Sequence, residues 1–128
     1  MKPAMRLIIG LLGLFNLGLG LLFLFRPAQM AVDFSVQPVG TQGLATVRAD
    51  FSAFFIVGGL FAILGAIRMD PSPLRVPLLL LAIALFGRVL SLLLDGVAQT
   101  AYPPMIAEAV MIILLLVAQR TFASTRRA

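Results

Sequence analysis

The sequence contains no cysteine and no histidine. Without cysteine, disulfides, thiolate nucleophiles and zinc–thiolate sites are excluded for the chain acting alone. Without histidine it lacks the usual haem ligand, the commonest metal ligand and the side chain most often used as a general base near neutral pH. Charge is scarce as well: Asp, Glu, Lys and Arg make up 12% of the 128 residues, against 61% hydrophobic residues. A mean hydropathy of +1.08 lies far outside the range of soluble globular domains and implies lipid as the solvent. No cofactor and no metal are expected from these residues.

What is there is a series of four apolar stretches, about 5–25, 49–67, 76–95 and 102–119. Each is long enough to cross a hydrocarbon core as a helix, and together they use most of the chain, so residues 1–128 are read as one domain. The first stretch exceeds the apolar core of a signal peptide and is read as a retained helix. Between it and the second lies the long connection 26–48, which carries Asp33, Pro38, Gly40 and Gly43 and is expected to be a loop. Within it, Met30 to Val36 could rest in the interface as a short amphipathic piece. The second stretch is closed by Arg68, Asp70, Pro71 and Pro73, and the third by Asp95 and Gly96. Pro103 and Pro104 suit the first turn of the fourth. Short links make the last three stretches neighbours, so the expected fold is an all-α membrane protein, an antiparallel bundle of four transmembrane helices.

The net charge of +5 forms no basic run or stripe, so nucleic acid is not an expected partner. Lys2, Arg6, Arg68, Arg75, Arg120, Arg126 and Arg127 fall on one side of the expected membrane, and only Arg26 and Arg48 flank the other. The positive-inside rule then puts both termini in the cytoplasm and the 26–48 loop outside. Small residues that would let helices approach recur at Gly10 and Gly13, at Gly58, Ala62 and Ala66, and at Ala84 and Gly87. They fit either close packing of one bundle or a dimer face.

The informative residues are polar ones that four spans carry into lipid: Asn16, Arg48, Asp50, Arg88, Ser91, Asp95 and Glu108. An ionisable side chain at the bilayer centre costs about 2.5–3.5 kcal/mol on the mildest scale, so each needs a partner or water. Arg88 stands about 18 Å along the third helix from Val76, in the outer half, and Glu108, Arg48 and Asp50 fall in the same half. Arg88, Ser91 and Asp95 share a helix face, which is expected to point inward. Two cations then meet three carboxylates. The nearest carboxylate to Arg88 is expected from a neighbouring helix, Glu108 or Asp50. One reading makes this a set of ion pairs fixing helix register; the other makes it the polar floor of a ligand pocket.

The segment Arg48-Ala49-Asp50-Phe51 and the pattern from Arg88 through Ser91 to Asp95-Gly96 resemble motifs of a bacterial membrane family, the domain of unknown function 4345. With Glu108 near the start of the last helix, the resemblance covers nearly the whole chain. It implies four helices in the bacterial inner membrane and a shared charged cluster, and no activity.

Three classes of function are compatible with these residues. The first is a membrane protein that binds or passes a small molecule, a lipid or a proton through the cluster. The second is an accessory or scaffolding subunit whose charged cluster is structural. The third is an enzyme using Asp95 or Glu108, disfavoured because Ser91 has only carboxylates as bases. The expected partners are the bilayer, a lipid or small-molecule ligand, and a membrane-protein partner or second copy of the chain.

Overall fold

A computed structural model describes residues 1–96 and 102–127, with side chains described as far as Ser124. Among the described residues every regular element is helical. Helix α1 runs Lys2–Phe25. It stops at Arg26, whose φ of −133° departs from helical geometry, because the following Pro27 disfavours a helical residue before it. Short helices α2, Pro27–Asp33, and α3, Gly40–Thr46, follow. A π-helical stretch, Val47–Phe51, joins α3 to α4, Ser52–Arg68. Helix α5 is Arg75–Asp95 and α6 is Tyr102–Arg127. The link 97–101, and with it the sequence expectation of a short tight connection there, lies outside the described residues.

Four helical segments are long and apolar enough to cross a membrane: Lys2–Phe25, Gly40–Arg68, Arg75–Asp95 and Tyr102–Ser124. The second departs from the expected 49–67, since continuous helix begins at Gly40 and reaches 29 residues. The 26–48 connection is therefore mostly helical rather than a loop. Its hydrophobic residues explain the difference: Met30, Ala31 and Val47 are buried around Phe23, with Phe34, Phe51 and Phe55 packed against them. The Phe23 ring lies 5.0 Å from Phe34 and 5.7 Å from Phe55, nearly parallel to the latter at 6°. Aromatic contacts of this kind add to the area they bury.

Helices α1 and α4 make the tightest pair. A Cβ on Gly59 would stand 2.6 Å from the Gly13 carbonyl oxygen and 2.7 Å from the Leu17 nitrogen, and one on Gly20 would stand 2.9 Å from the Ile56 nitrogen. Glycine thus permits backbone-to-backbone approach. Of the small residues expected to do this, Gly13 does, whereas Gly10 and Gly87 have nothing within 4 Å of a Cβ. A second core of Met5, Ile9, Leu12, Ala62, Ala66, Leu74, Leu115 and Phe122 joins α1, α4 and α6. The end of α4 is closed by Met69 in the left-handed region, with the Met69 and Asp70 amides donating to the Ala66 and Gly65 carbonyls.

Helix α5 is the loosest member, with only Pro77 and Leu81 buried. Leu79, Ile83, Phe86, Leu90, Leu93 and Leu94 are exposed on it, an arrangement suited to lipid as the neighbour.

Candidate functional site

Glu108 sits in the second turn of α6, where its position relative to Leu115 and Phe122 puts it on the buried stripe of that helix. Its side chain is 9% exposed. Arg88 reaches it from α5, donating its Nε to Glu108 Oε1. The Arg88 side chain is 39% exposed, so the pair is buried at one end and open at the other. The second carboxylate oxygen, Glu108 Oε2, is buried with no hydrogen-bond partner among the described residues. A buried polar atom of this kind costs free energy until something donates to it.

Both side chains border a cavity of about 390 Å³ between α1, α4, α5 and α6. Asp50 adds a second carboxylate to its wall. The remainder is apolar, with Phe15, Phe34, Phe51, Phe54 and Phe55 on one side and Leu81 and Met111 on the other. Counted formally, two carboxylates against one guanidinium leave one negative charge in excess, with Asp50 exposed and Glu108 buried. Asp50 lies in the π-helical stretch, a local widening often found at functional sites. Ser52, just after it, is buried and donates its hydroxyl to the Ala49 carbonyl.

The remaining sequence-selected residues do not join this cavity. Asn16 is buried nearby and donates to the Leu12 carbonyl and to Met111 Sδ, tying α1 to α6 behind a residue that lines the cavity. Arg48 is exposed and donates its Nε to the Leu24 carbonyl at 3.1 Å. It neutralises an otherwise orphaned carbonyl in the last turn of α1, a position where a cation is favoured. Ser91 and Asp95 were expected to point inward; both are exposed. They border a separate hollow of about 350 Å³ with Gly87 and Arg88. The physical reason is that α5 has few packing partners along its second half, so a shared helix face there is not a buried face. Ser91 therefore shares its hollow with Asp95, and Glu108 is not among the residues that border it.

The aromatic wall was not singled out from sequence. Its signal was present in the spacing of Phe51, Phe54 and Phe55, which places them on adjoining faces of one helix directly after Asp50. Asp50 and Glu108 supply two carboxylates, and no group of three or more metal-ligating side chains converges among the described residues. What the cavity offers is a half-open guanidinium, paired with a buried carboxylate, at the edge of an aromatic, apolar chamber.

All-helical, with four helices long and apolar enough to span a membrane, the chain has the make-up of a multi-pass membrane protein. It belongs to the family described as domain of unknown function (DUF4345), which matches residues 4–119. No curated protein and no solved structure matches it.

Proposed function

We propose that the protein binds a small apolar molecule or a lipid in the cavity bordered by Asp50, Arg88 and Glu108. The observation that carries this reading is the Arg88–Glu108 ion pair bordering a chamber of about 390 Å³ whose lining is otherwise mostly aromatic and aliphatic. Ligand sites are typically apolar chambers of about 300–1,000 Å³ with a few convergent polar groups, and an ionisable side chain within a span is by default a functional-site hypothesis. Passage of a proton is the same reading with water as the occupant.

The arrangement in the membrane that goes with this reading is an antiparallel bundle with both termini cytoplasmic. In a bacterium that means the inner membrane, with the cavity in the outer half. Its support is the seven-to-two distribution of basic residues between the two sides. The protein acts here as a binder, with no catalysis assigned.

A second reading, an accessory subunit of a larger assembly, draws on the thin packing of α5 and on Gly87, which has open space around it. Native mass spectrometry after extraction in mild detergent separates the two. A bound molecule of lipid or metabolite mass, lost on filling the cavity by Ala107→Trp, supports the first. A companion polypeptide retained by both forms, with no small ligand in either, replaces it with the second.

A further inference from the structure

A groove of about 680 Å³ lies between α1 and α4 and shares no lining residue with the Arg88–Glu108 cavity. A ligand here is independent of one in that cavity. Its apolar part follows α1 through Leu7, Leu11 and Leu14, all exposed, at spacings that set them on one stripe of the helix. Ile63 and Ile67 of α4 form the facing side. Gly10 lies on the same stripe, and a Cβ there would meet nothing within 4 Å. Gly13, Gly20 and Gly59 are needed for close backbone approach, whereas Gly10 is not. In mid-helix it costs stability relative to alanine, and what it leaves is a notch. Lys2 and Arg6 stand at one end of the groove, and no Asp or Glu lines it. Arg6 is exposed and donates one terminal nitrogen to the Ile67 carbonyl at 3.2 Å, which holds the guanidinium across the mouth. Its other nitrogens and the Lys2 amine have no partner among the described residues. The first amides of α1, which no side chain caps, point to the same end.

We infer that this groove holds an anionic phospholipid of the adjoining leaflet, phosphatidylglycerol in chemical class, with its phosphate on Arg6 and Lys2 and an acyl chain laid along α1 over Gly10. Lys2 to Leu14 covers about 18 Å of helix, against about 15 Å for half of a hydrocarbon core. The groove is thus about one leaflet deep, with its cations at the level of the head groups. Each Lys or Arg near the surface adds to the attraction of anionic lipid, and Arg6 offers a forked donor suited to phosphate. A zwitterionic lipid fits less well, because its ammonium would stand beside two cations with no carboxylate lining the groove to receive it. The assignment is the same whichever way the bundle faces, since it needs only a leaflet at that end.

The test is native mass spectrometry of the full chain from nanodiscs holding equal amounts of phosphatidylglycerol and phosphatidylcholine. The glycerol lipid should be retained at least about fivefold over the choline lipid, and Lys2→Gln with Arg6→Gln should bring the ratio to about twofold or less. Arg26→Gln with Arg48→Gln, at the other end, should leave the ratio unchanged, and so should Ala107→Trp in the Arg88–Glu108 cavity. Gly10→Leu, which fills the notch with both cations in place, should lower retention of the glycerol lipid. A second measurement uses the unaltered protein: phosphatidylglycerol carrying a diazirine in mid-chain should cross-link to residues 7–14 and 63–67 in preference to α5. Equal retention of the two lipids, a ratio indifferent to the Lys2 and Arg6 changes, or label concentrated on α5 overturns the assignment. Loss of the ratio in Ala107→Trp would put the retained lipid in the other cavity and overturn it as well.

Discussion

Arg88 donates to Glu108 across the gap between α5 and α6, and it does so on the stretch of α5 that has no buried residue beyond Leu81. The ion pair therefore anchors a helix that hydrophobic packing holds only at its start. Breaking a fully buried pair costs about 3–5 kcal/mol. Here one partner is 39% exposed, and water or lipid head groups can solvate it, so the lower cost of a lost charged hydrogen bond applies.

Arg88→Leu is expected to destabilise the protein by about 1–3 kcal/mol, chiefly by leaving the Glu108 carboxylate buried and alone. Glu108→Gln in the same background should recover part of that loss, because no charge is then stranded. Reversible unfolding in detergent micelles, run as a double-mutant cycle, measures the coupling. Simple additivity of the two changes would show that the pair contributes nothing jointly.

The glycines of the α1–α4 contact should separate sharply from those elsewhere. Gly59→Ala puts a methyl group 2.6 Å from a backbone oxygen of Gly13, and backbone cannot rotate away as a side chain can. A loss of about 1–3 kcal/mol is expected from such overpacking. Gly10→Ala meets nothing within 4 Å, and in mid-helix it should be neutral or gain up to about 1 kcal/mol from reduced chain entropy. Thermal unfolding of the two variants side by side decides this, and similar behaviour would mean that the helices do not approach as described.

The segment after α1 should behave as part of the folded body. Phe23 is fully buried, with Met30 and Ala31 buried around it, so Phe23→Ala is expected to cost about 3–5 kcal/mol. In hydrogen exchange the amides of Met30 and Phe34, which donate to Arg26 and Met30 carbonyls, should be protected relative to Gln37. Uniformly fast exchange from Pro27 to Thr46 would restore the loop expected from sequence.

The four apolar spans were legible because hydropathy over about 20 residues reports the solvent directly, and Arg88 and Glu108 were legible because their burial needs an explanation. The start of the second helix was not. Gly40, Thr41 and Gly43 are poor helix formers, and what extends the helix there is its continuity with α4, at a point where Gly43 passes so close to Pro38 that a Cβ would stand 3.0 Å from its carbonyl carbon, which no local pattern displays. Arg48 was grouped with the cluster on depth alone, and its bond to Leu24 depends on where α1 ends relative to α4. Ser91 and Asp95 were misread for a different reason. A helical face is predictable from spacing, but whether anything packs against it is a property of the neighbouring helices.

Arg6 donates to the Ile67 carbonyl, which brings the start of α1 to the end of α4, and Gln119 donates to the Pro71 carbonyl, which brings the late part of α6 to the same end. At the other end Arg48 meets Leu24. Lys2, Arg6, Arg68 and Arg120 thus gather at one end of the molecule, and Arg26 and Arg48 at the other; the side chains of Arg126 and Arg127 lie outside the described residues. Because Lys and Arg near span ends are retained on the cytoplasmic side, the crowded end should face the cytoplasm. A reporter fused after Ala128 should then be active only as a cytoplasmic fusion, and one inserted at Gln42 only as an external one. Substituting Lys2, Arg6 and Arg68 by Gln should weaken that preference measurably, while Arg120→Gln, beside the final span, should have less effect. A C-terminal fusion active only outside would reverse the orientation and move the Arg88–Glu108 cavity to the cytoplasmic half of the membrane.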